Sequence, residues 1–208
     1  MPIAPAAAMQ ELILHPKRFL SKYPLLTSGG PAGMQTNYLN NELGAAQRPG
    51  RVLGTLAMHA TEGFRLSRLP GAPGDHAMPV QAFSVPLANS NVAPIVFHAV
   101  PLGGVRVLIT GELSGCSFII NPGPGVGQIQ CAHLMPVGES GLVLHNRLVT
   151  AGHTTVYGHG RYNKVNDAGF LVRNVTVIGI RKDSGWQVFA QKRDNPNRLK
   201  VLSLSRIY

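Results

Sequence analysis

Cysteine is scarce in this chain, with two in 208 residues. That excludes a disulfide framework and leaves open a single Cys116–Cys131 bridge or two reduced thiols, at least one of them buried. Long apolar runs are missing too, so no segment is read as a membrane span. The start, MPIAPAAAMQELIL, has small apolar residues but no basic n-region, and no secretory signal peptide is read there. Export by another route, or entry into another cell, leaves no such mark. Acidic residues are few, 9 against 19 Lys and Arg. No aromatic-interleaved basic motif accompanies that excess, and no RNA-binding signature is present.

What the chain does have is Gly (24) and Pro (16), with 44% apolar and only 13% charged residues. That mixture suits short strands and many turns better than a helical bundle. The length fits one domain with a sizeable core, 1–208, here read as a single catalytic unit. Its first part, 1–50, reads as mostly helical and 51–208 as β-rich. The net charge of +10 is uneven. Residues 1–146 hold 8 Lys/Arg and 6 Asp/Glu; residues 147–208 hold 11 and 3. A basic final third is compatible with a solvated face, an acidic protein partner, nucleic acid or anionic lipid.

Along the chain, AMQELILHPKRFLSK (8–22) has helical spacing broken by Pro16, which predicts a kink or two short helices. TNYLNNELGAAQ (36–47) places Thr36 as a cap and Leu39 and Leu43 one turn apart, predicting a further helix. Strands are predicted at 51–58, 80–85, 94–100, 104–110, 116–120, 127–134, 141–150, 174–181, 185–192 and 199–207. Segments 68–79 and 158–169 read as loops. Lys182-Asp183-Ser184-Gly185 reads as the turn of a hairpin. The sum is an α+β fold: a β-sandwich of two mostly antiparallel sheets flanked by N-terminal helices.

The chemistry concentrates in GVRVLITGELSGCSFIINPGPGVGQIQCAHLMP. Two runs, 116–120 and 129–133, form a hairpin across NPGPGVGQ. With Phe118 opposite Cys131, Cys116 faces His133 and all the alternating partners share one apolar face. The other face, with Gln128, Gln130, Ser117 and Ile119, reads as mostly polar. Directly opposed Cβ atoms lie about 4.5–5.5 Å apart, close enough for thiol and imidazole to meet. An imidazole there favours the thiolate, the nucleophilic form. Gly115 permits an unusual backbone conformation, and the Cys116 amide with its neighbours offers donors to an oxyanion. Spacing alone favours an inert buried cysteine over a nucleophile.

The segment ITGELSGC, followed by a strand and a His, resembles the catalytic core of the cytotoxic necrotizing factor and Burkholderia lethal factor group of toxins. Leu113, Ser114, Gly115 and Cys116 match the L-S-G-C motif of these glutamine deamidases. The resemblance covers about residues 104–134. It implies Cys116 as nucleophile and His133 as general base and acid, with Ser114 and Gly115 shaping the oxyanion site. It also implies Thr110 as an orienting residue through its backbone carbonyl, as in the lethal-factor branch. The Cys-to-His spacing is longer here than the family's, and NPGPGVGQ is where the extra length fits. The implied activity is conversion of a glutamine in a host protein to glutamate through a thioester, without metal or organic cofactor. Interception of the thioester by an amine would give transglutamination. The implied partner is a translation-initiation RNA helicase or a small Rho-type GTPase in the host cytosol, reached by a monomer that a bacterium delivers.

Rival readings use the same residues. A cysteine protease would employ the same pair and cut a backbone. A basic binding module would be indifferent to Cys116. Zinc ligation by Cys116, Cys131, His133, His145, His153 and His159 has no compact motif behind it. GPGVG (123–127) resembles a phosphate loop only superficially, lacking the Lys-Ser/Thr ending, and reads as a turn bordering the site. His15, His59, His76 and His98 carry no neighbouring signal.

Overall fold

Pro16 divides the N-terminal helical stretch as its chemistry requires. Helix α1 (Pro5–Leu14) ends at His15, and α2 (Pro16–Lys22) begins with the proline at its first turn, where no amide donor is needed. Their apolar faces, with Leu12, Phe19 and Leu20 fully buried, need a surface to cover. That surface is a mixed sheet. The computed structural model describes residues 3–42, 63–68, 77–162, 173–194 and 200–208.

The large sheet has eight strands: β1 (Leu25–Thr27), β2 (Gly33–Glu42), β3 (Gly63–Ser67), β4 (Met78–Val85), β7 (Val107–Thr110), β11 (Arg173–Lys182), β12 (Gly185–Asp194) and β13 (Val201–Arg206). They run in the order β1-β3-β2-β4-β7-β11-β12-β13. The second sheet holds β5 (Leu87–Asn89), β8 (Ser117–Pro122), β9 (Ile129–Met135) and β10 (Thr155–Tyr157), with β6 (His98–Ala99) also pairing β9. Most pairings are antiparallel; β1–β3, β4–β7 and β5–β9 are parallel. The fold is α+β, as the composition implies.

Strand alternation sorts the apolar residues into layers. In β7, Val107 and Ile109 face α1 and α2, while Leu108 faces the second sheet. In the second sheet, Phe118, Ile120, Ile129 and Cys131 face inward onto Leu108, Val175, Val177 and Val188. The outer face of that sheet, expected to be polar, is apolar and covered. Ile119, Ala132 and Leu134 pack against Leu144 and Leu148 of α3 (Gly141–Thr150). The molecule is therefore layered helix–sheet–sheet–helix.

Helix α3 occupies the segment 141–150 predicted as a strand. Its signals were Ser140, whose hydroxyl accepts the Val143 N–H at 3.2 Å, and the four-residue interval between buried Leu144 and Leu148. The opposite correction applies to 36–47. Its described part, through Glu42, is a strand inside a sheet, bonded to β3 on one side and β4 on the other. Leu39 is fully buried there, and the Asn40 amide donates to the Tyr38 carbonyl at 3.2 Å. Two flanking ladders outweigh a weak local helix signal. The N-terminal part is thus helical only through Lys22.

Of the other expected strands, 94–100 shrinks to His98–Ala99, and 51–58 lies outside the described residues. Within 158–169, residues His159–Tyr162 form a short helix, α4, and 163–169 lie outside the described residues, as does most of 68–79. The β11–β12 hairpin closes at Lys182↔Gly185, with Gly185 at φ +114°. Among the described residues, no helix is long and apolar enough to cross a membrane.

Candidate functional site

His133 lies on the inner face of β9, in the space between the two sheets, and is 1% exposed. Thr110, at the end of β7, faces it from the large sheet and is fully buried. The Thr110 Oγ1 lies 2.6 Å from His133 Nδ1 and 2.9 Å from the carbonyl oxygen of Val85. A hydroxyl has one proton, and a carbonyl can only accept. Thr110 therefore donates to Val85 and accepts from Nδ1–H. That fixes the imidazole as the neutral tautomer with its lone pair on Nε2, and Nε2 has no partner. Burial pulls the His133 pKa down to about 4, so the ring is an uncharged base at neutral pH. The sequence resemblance assigned the orienting role to the Thr110 carbonyl; the contact seen here is made by its hydroxyl.

Ionisation of His133 has a consequence for stability. The unfolded ring takes its proton near pH 6.5 and the folded ring near 4. Between those values the unfolded state binds more protons, so stability falls as pH drops from 6.5 to 4. The loss is about 3 kcal/mol. Urea denaturation at a series of pH values should show this slope, and His133→Gln should flatten it.

The L-S-G-C turn is tied down on three sides. Leu113 exchanges both backbone hydrogen bonds with Val175 of β11, at 2.8 and 3.1 Å. Glu112, just before it, forms an ion pair at 2.7 Å with Arg193, whose side chain is fully buried. The third tie is Tyr162 of α4, which no sequence signal singled out. Its hydroxyl accepts the Gly115 N–H at 2.9 Å and donates to the Cys116 carbonyl at 2.6 Å. Gly115 has φ +117°, a conformation costly for any side-chain-bearing residue, which accounts for the glycine of the motif. A Cβ on Gly141 would come within 2.4 Å of the Gly115 oxygen, so α3 also packs directly onto the turn.

These ties revise two expectations. The Gly115 amide is occupied by Tyr162 and is not presented to an oxyanion. The hairpin register also differs. Phe118 pairs with His133 and Ile120 with Cys131. Asn121 and Pro122 continue β8, and the turn is confined to Gly123–Gln128, held by Gly123 N–H to the Gln128 carbonyl at 2.8 Å. The pairing moves by two positions, an even step, so every side chain keeps its face. Cys116 and His133 consequently share the inter-sheet face but are not directly opposed. The glycine-rich turn lies at the far end of the hairpin from both and does not border the site.

Cys116 is 8% exposed, immediately before β8. Burial raises its pKa; a hydrogen bond from the Ser114 backbone opposes that in part. Ser114 itself is exposed. No hydrogen bond joins the thiol to His133 Nε2. The pair is therefore thiol and neutral imidazole, rather than the thiolate expected from sequence, because both groups lose solvation and neither gains a counter-charge. Cys131 is fully buried with its pKa raised by burial, and both cysteines are free. Among the described residues, no group of three or more His, Cys, Asp or Glu is placed to hold a metal ion.

Tyr162 carries a prediction of its own. Tyr162→Phe deletes the hydroxyl and leaves the Gly115 amide and Cys116 carbonyl without their bridge. Two neutral hydrogen bonds are lost, so stability should fall by about 1–3 kcal/mol. Any Cys116-dependent activity should fall further than stability accounts for, since the Cys116 turn loses its anchor. Comparing turnover with the unfolding midpoint separates the two effects.

Comparison with models of known protein families finds no match. Comparison with curated proteins finds none either. The functional reading therefore rests on the L-S-G-C resemblance and on the geometry of the residues.

Proposed function

We propose that this chain is a cysteine-dependent protein-glutamine deamidase, with Cys116 as nucleophile and His133 as general base and acid. The observation that carries the reading is the His133 ring. Its Nδ1 is anchored by Thr110 and its basic Nε2 is buried without a partner, on the face that also carries Cys116. A buried unpaired nitrogen is costly to keep, and such groups cluster where chemistry needs them. The L-S-G-C turn at Leu113–Cys116, with Gly115 in a positive-φ conformation and Leu113 anchored to Val175, supports the same reading.

The steps balance as follows. His133 Nε2 takes the Cys116 thiol proton as Sγ attacks the side-chain carboxamide carbon of a glutamine. The Cys116 amide N–H is the donor assigned to the developing oxyanion. Collapse breaks the C–N bond, and His133 returns the proton to the departing ammonia. Water, deprotonated by His133, then opens the thioester, giving glutamate and the free thiol. Capture of the same thioester by an amine would transglutaminate instead. No step calls for a metal or organic cofactor.

The substrate class follows from the resemblance of the motif: a host translation-initiation RNA helicase or Rho-type GTPase, met in the cytosol of the target cell. The test is mass spectrometry of a eukaryotic lysate incubated with the wild-type chain or with Cys116→Ser. Glutamine-to-glutamate conversion at a defined site with wild type alone is the expected result. New peptide termini would replace the deamidase with a protease. No difference between the two would sink the reading.

A further inference from the structure

A concave site lies where the edge strand of each sheet comes to the same side of the molecule. It is a pocket of about 350 Å³ between β10, α3, α4 and β13. Its wall carries His145 of α3, His153, Arg161 of α4 and Arg206 of β13. Among the described residues, no Asp or Glu lines it. Arg206 Nε donates to the Tyr208 carbonyl at 2.9 Å, which holds that guanidinium at the rim. The His145 pKa is lowered by burial first, and then by the charges of Arg161 and His159. The Lys192 ammonium adds a further cation close by, donating to the Arg161 carbonyl at 2.9 Å.

The polar groups are arranged as donors. Asn121 Oδ1 accepts the Thr154 N–H at 3.0 Å, which fixes the orientation of that amide. Its Nδ2 then donates to His153 Nδ1 at 3.2 Å. His153 must therefore carry its proton on Nε2 and act as a donor there. Ring contact with Phe97, 5.4 Å between centroids, helps hold it. Tyr157 lines the same pocket, is 3% exposed, and its hydroxyl has no hydrogen-bond partner. A buried hydroxyl without a partner, in the field of the Arg161 charge, is a donor that lacks an acceptor.

We propose that this pocket binds a phosphomonoester group, with Arg161 and Arg206 meeting its charge and His153 and Tyr157 donating to its oxygens. Guanidinium forks match phosphate geometry and make the stronger, charge-assisted hydrogen bonds. Several donors around one pocket match the three terminal oxygens of a phosphate ester better than the two of a carboxylate. The pocket volume is at the low end for small-molecule sites, which fits a phosphorylated amino acid or a similarly small ester. The site is independent of Cys116: it shares none of the residues assigned to glutamine chemistry.

The test uses the full chain and the side-chain nitrogen NMR signals of its histidines at constant ionic strength. Inorganic phosphate, O-phosphoserine and acetate are titrated separately. Saturable shifts of His145 and His153 with phosphoserine are the expected result. A comparable response to inorganic phosphate would identify the phosphoryl group alone as the recognised part. A response to phosphoserine only would assign recognition to the ester. Arg161→Gln and Arg206→Gln should each weaken binding about tenfold, the loss of one charge-assisted hydrogen bond. Tyr157→Phe is a milder variant that keeps both charges and should weaken binding severalfold. Equal affinity for acetate, or unchanged affinity in both arginine variants, would overturn the proposal, as would the absence of saturation.

Discussion

Cys116→Ala should abolish glutamine-to-glutamate conversion, and His133→Ala should lower its rate by about 10³–10⁴-fold. The two losses should not multiply in the double variant, because base and nucleophile act in one step. The pH profile adds a sharper expectation. An imidazole in solution would lose its base form below pH 6.5, but burial holds the His133 pKa at about 4. The base form therefore persists down to that pH, and no acid limb should appear near 6.5. On the alkaline side, burial raises the Cys116 thiol above its ordinary range, so the thiol form persists through neutrality. Activity should accordingly be flat from about pH 5 to 8, measured as initial rate of ammonia release over a range where the fold is intact. A bell centred near pH 7 would mean that thiolate and imidazolium form the reactive pair, which the burial of both groups argues against. Thr110→Val removes the acceptor at Nδ1 while keeping the shape. It should release the ring to its other tautomer and cost much of the His133 effect with little change in substrate affinity.

Glu112→Gln should destabilise the protein by about 1.5–3 kcal/mol, because it removes the carboxylate charge that meets a fully buried guanidinium. The Arg193 side chain is fully buried, and Glu112 meets it at 2.7 Å. Arg193 also donates to Thr176 Oγ1 at 3.1 Å, and that hydroxyl donates to the Leu25 carbonyl at 2.6 Å. The ion pair thus continues into the packing of β1 on β11. Removing the whole pair, as Glu112→Leu with Arg193→Met, should recover most of the loss, since apolar replacement of a buried ion pair is often neutral. Urea midpoints of the two single variants and the double variant decide it. Equal losses that simply add would contradict a coupled pair. Because Glu112 abuts Leu113, the single variants should also reduce Cys116-dependent turnover at temperatures where they remain folded.

Several of these features were legible in the sequence. Proline at position 16 forced a break between two helices whatever lay around it. The β11–β12 hairpin was written in a turn flanked by two β-branched runs, and it formed where read. The common face of Cys116, Phe118, Cys131 and His133 followed from alternation alone, and it survived a two-residue error in register because the error was even.

The rest depended on partners distant in the chain. Segment 36–42 is a strand because two other strands bracket it, and its own residues express no strong preference. Segment 141–150 is equally apolar as helix or strand on a quick count, and the uncovered outer face of the second sheet selected the helix. Tyr162 lies 46 residues beyond the cysteine whose carbonyl it holds, on a segment that reads as loop. Composition and alternation determined the α+β class, the hairpins and which residues share a face, since those depend on bonds between chain neighbours. The open nitrogen on His133, the neutral state of the thiol, the anchoring of the L-S-G-C turn and the cationic pocket were decided by the tertiary structure alone, because solvation and charge depend on whatever folds against a group.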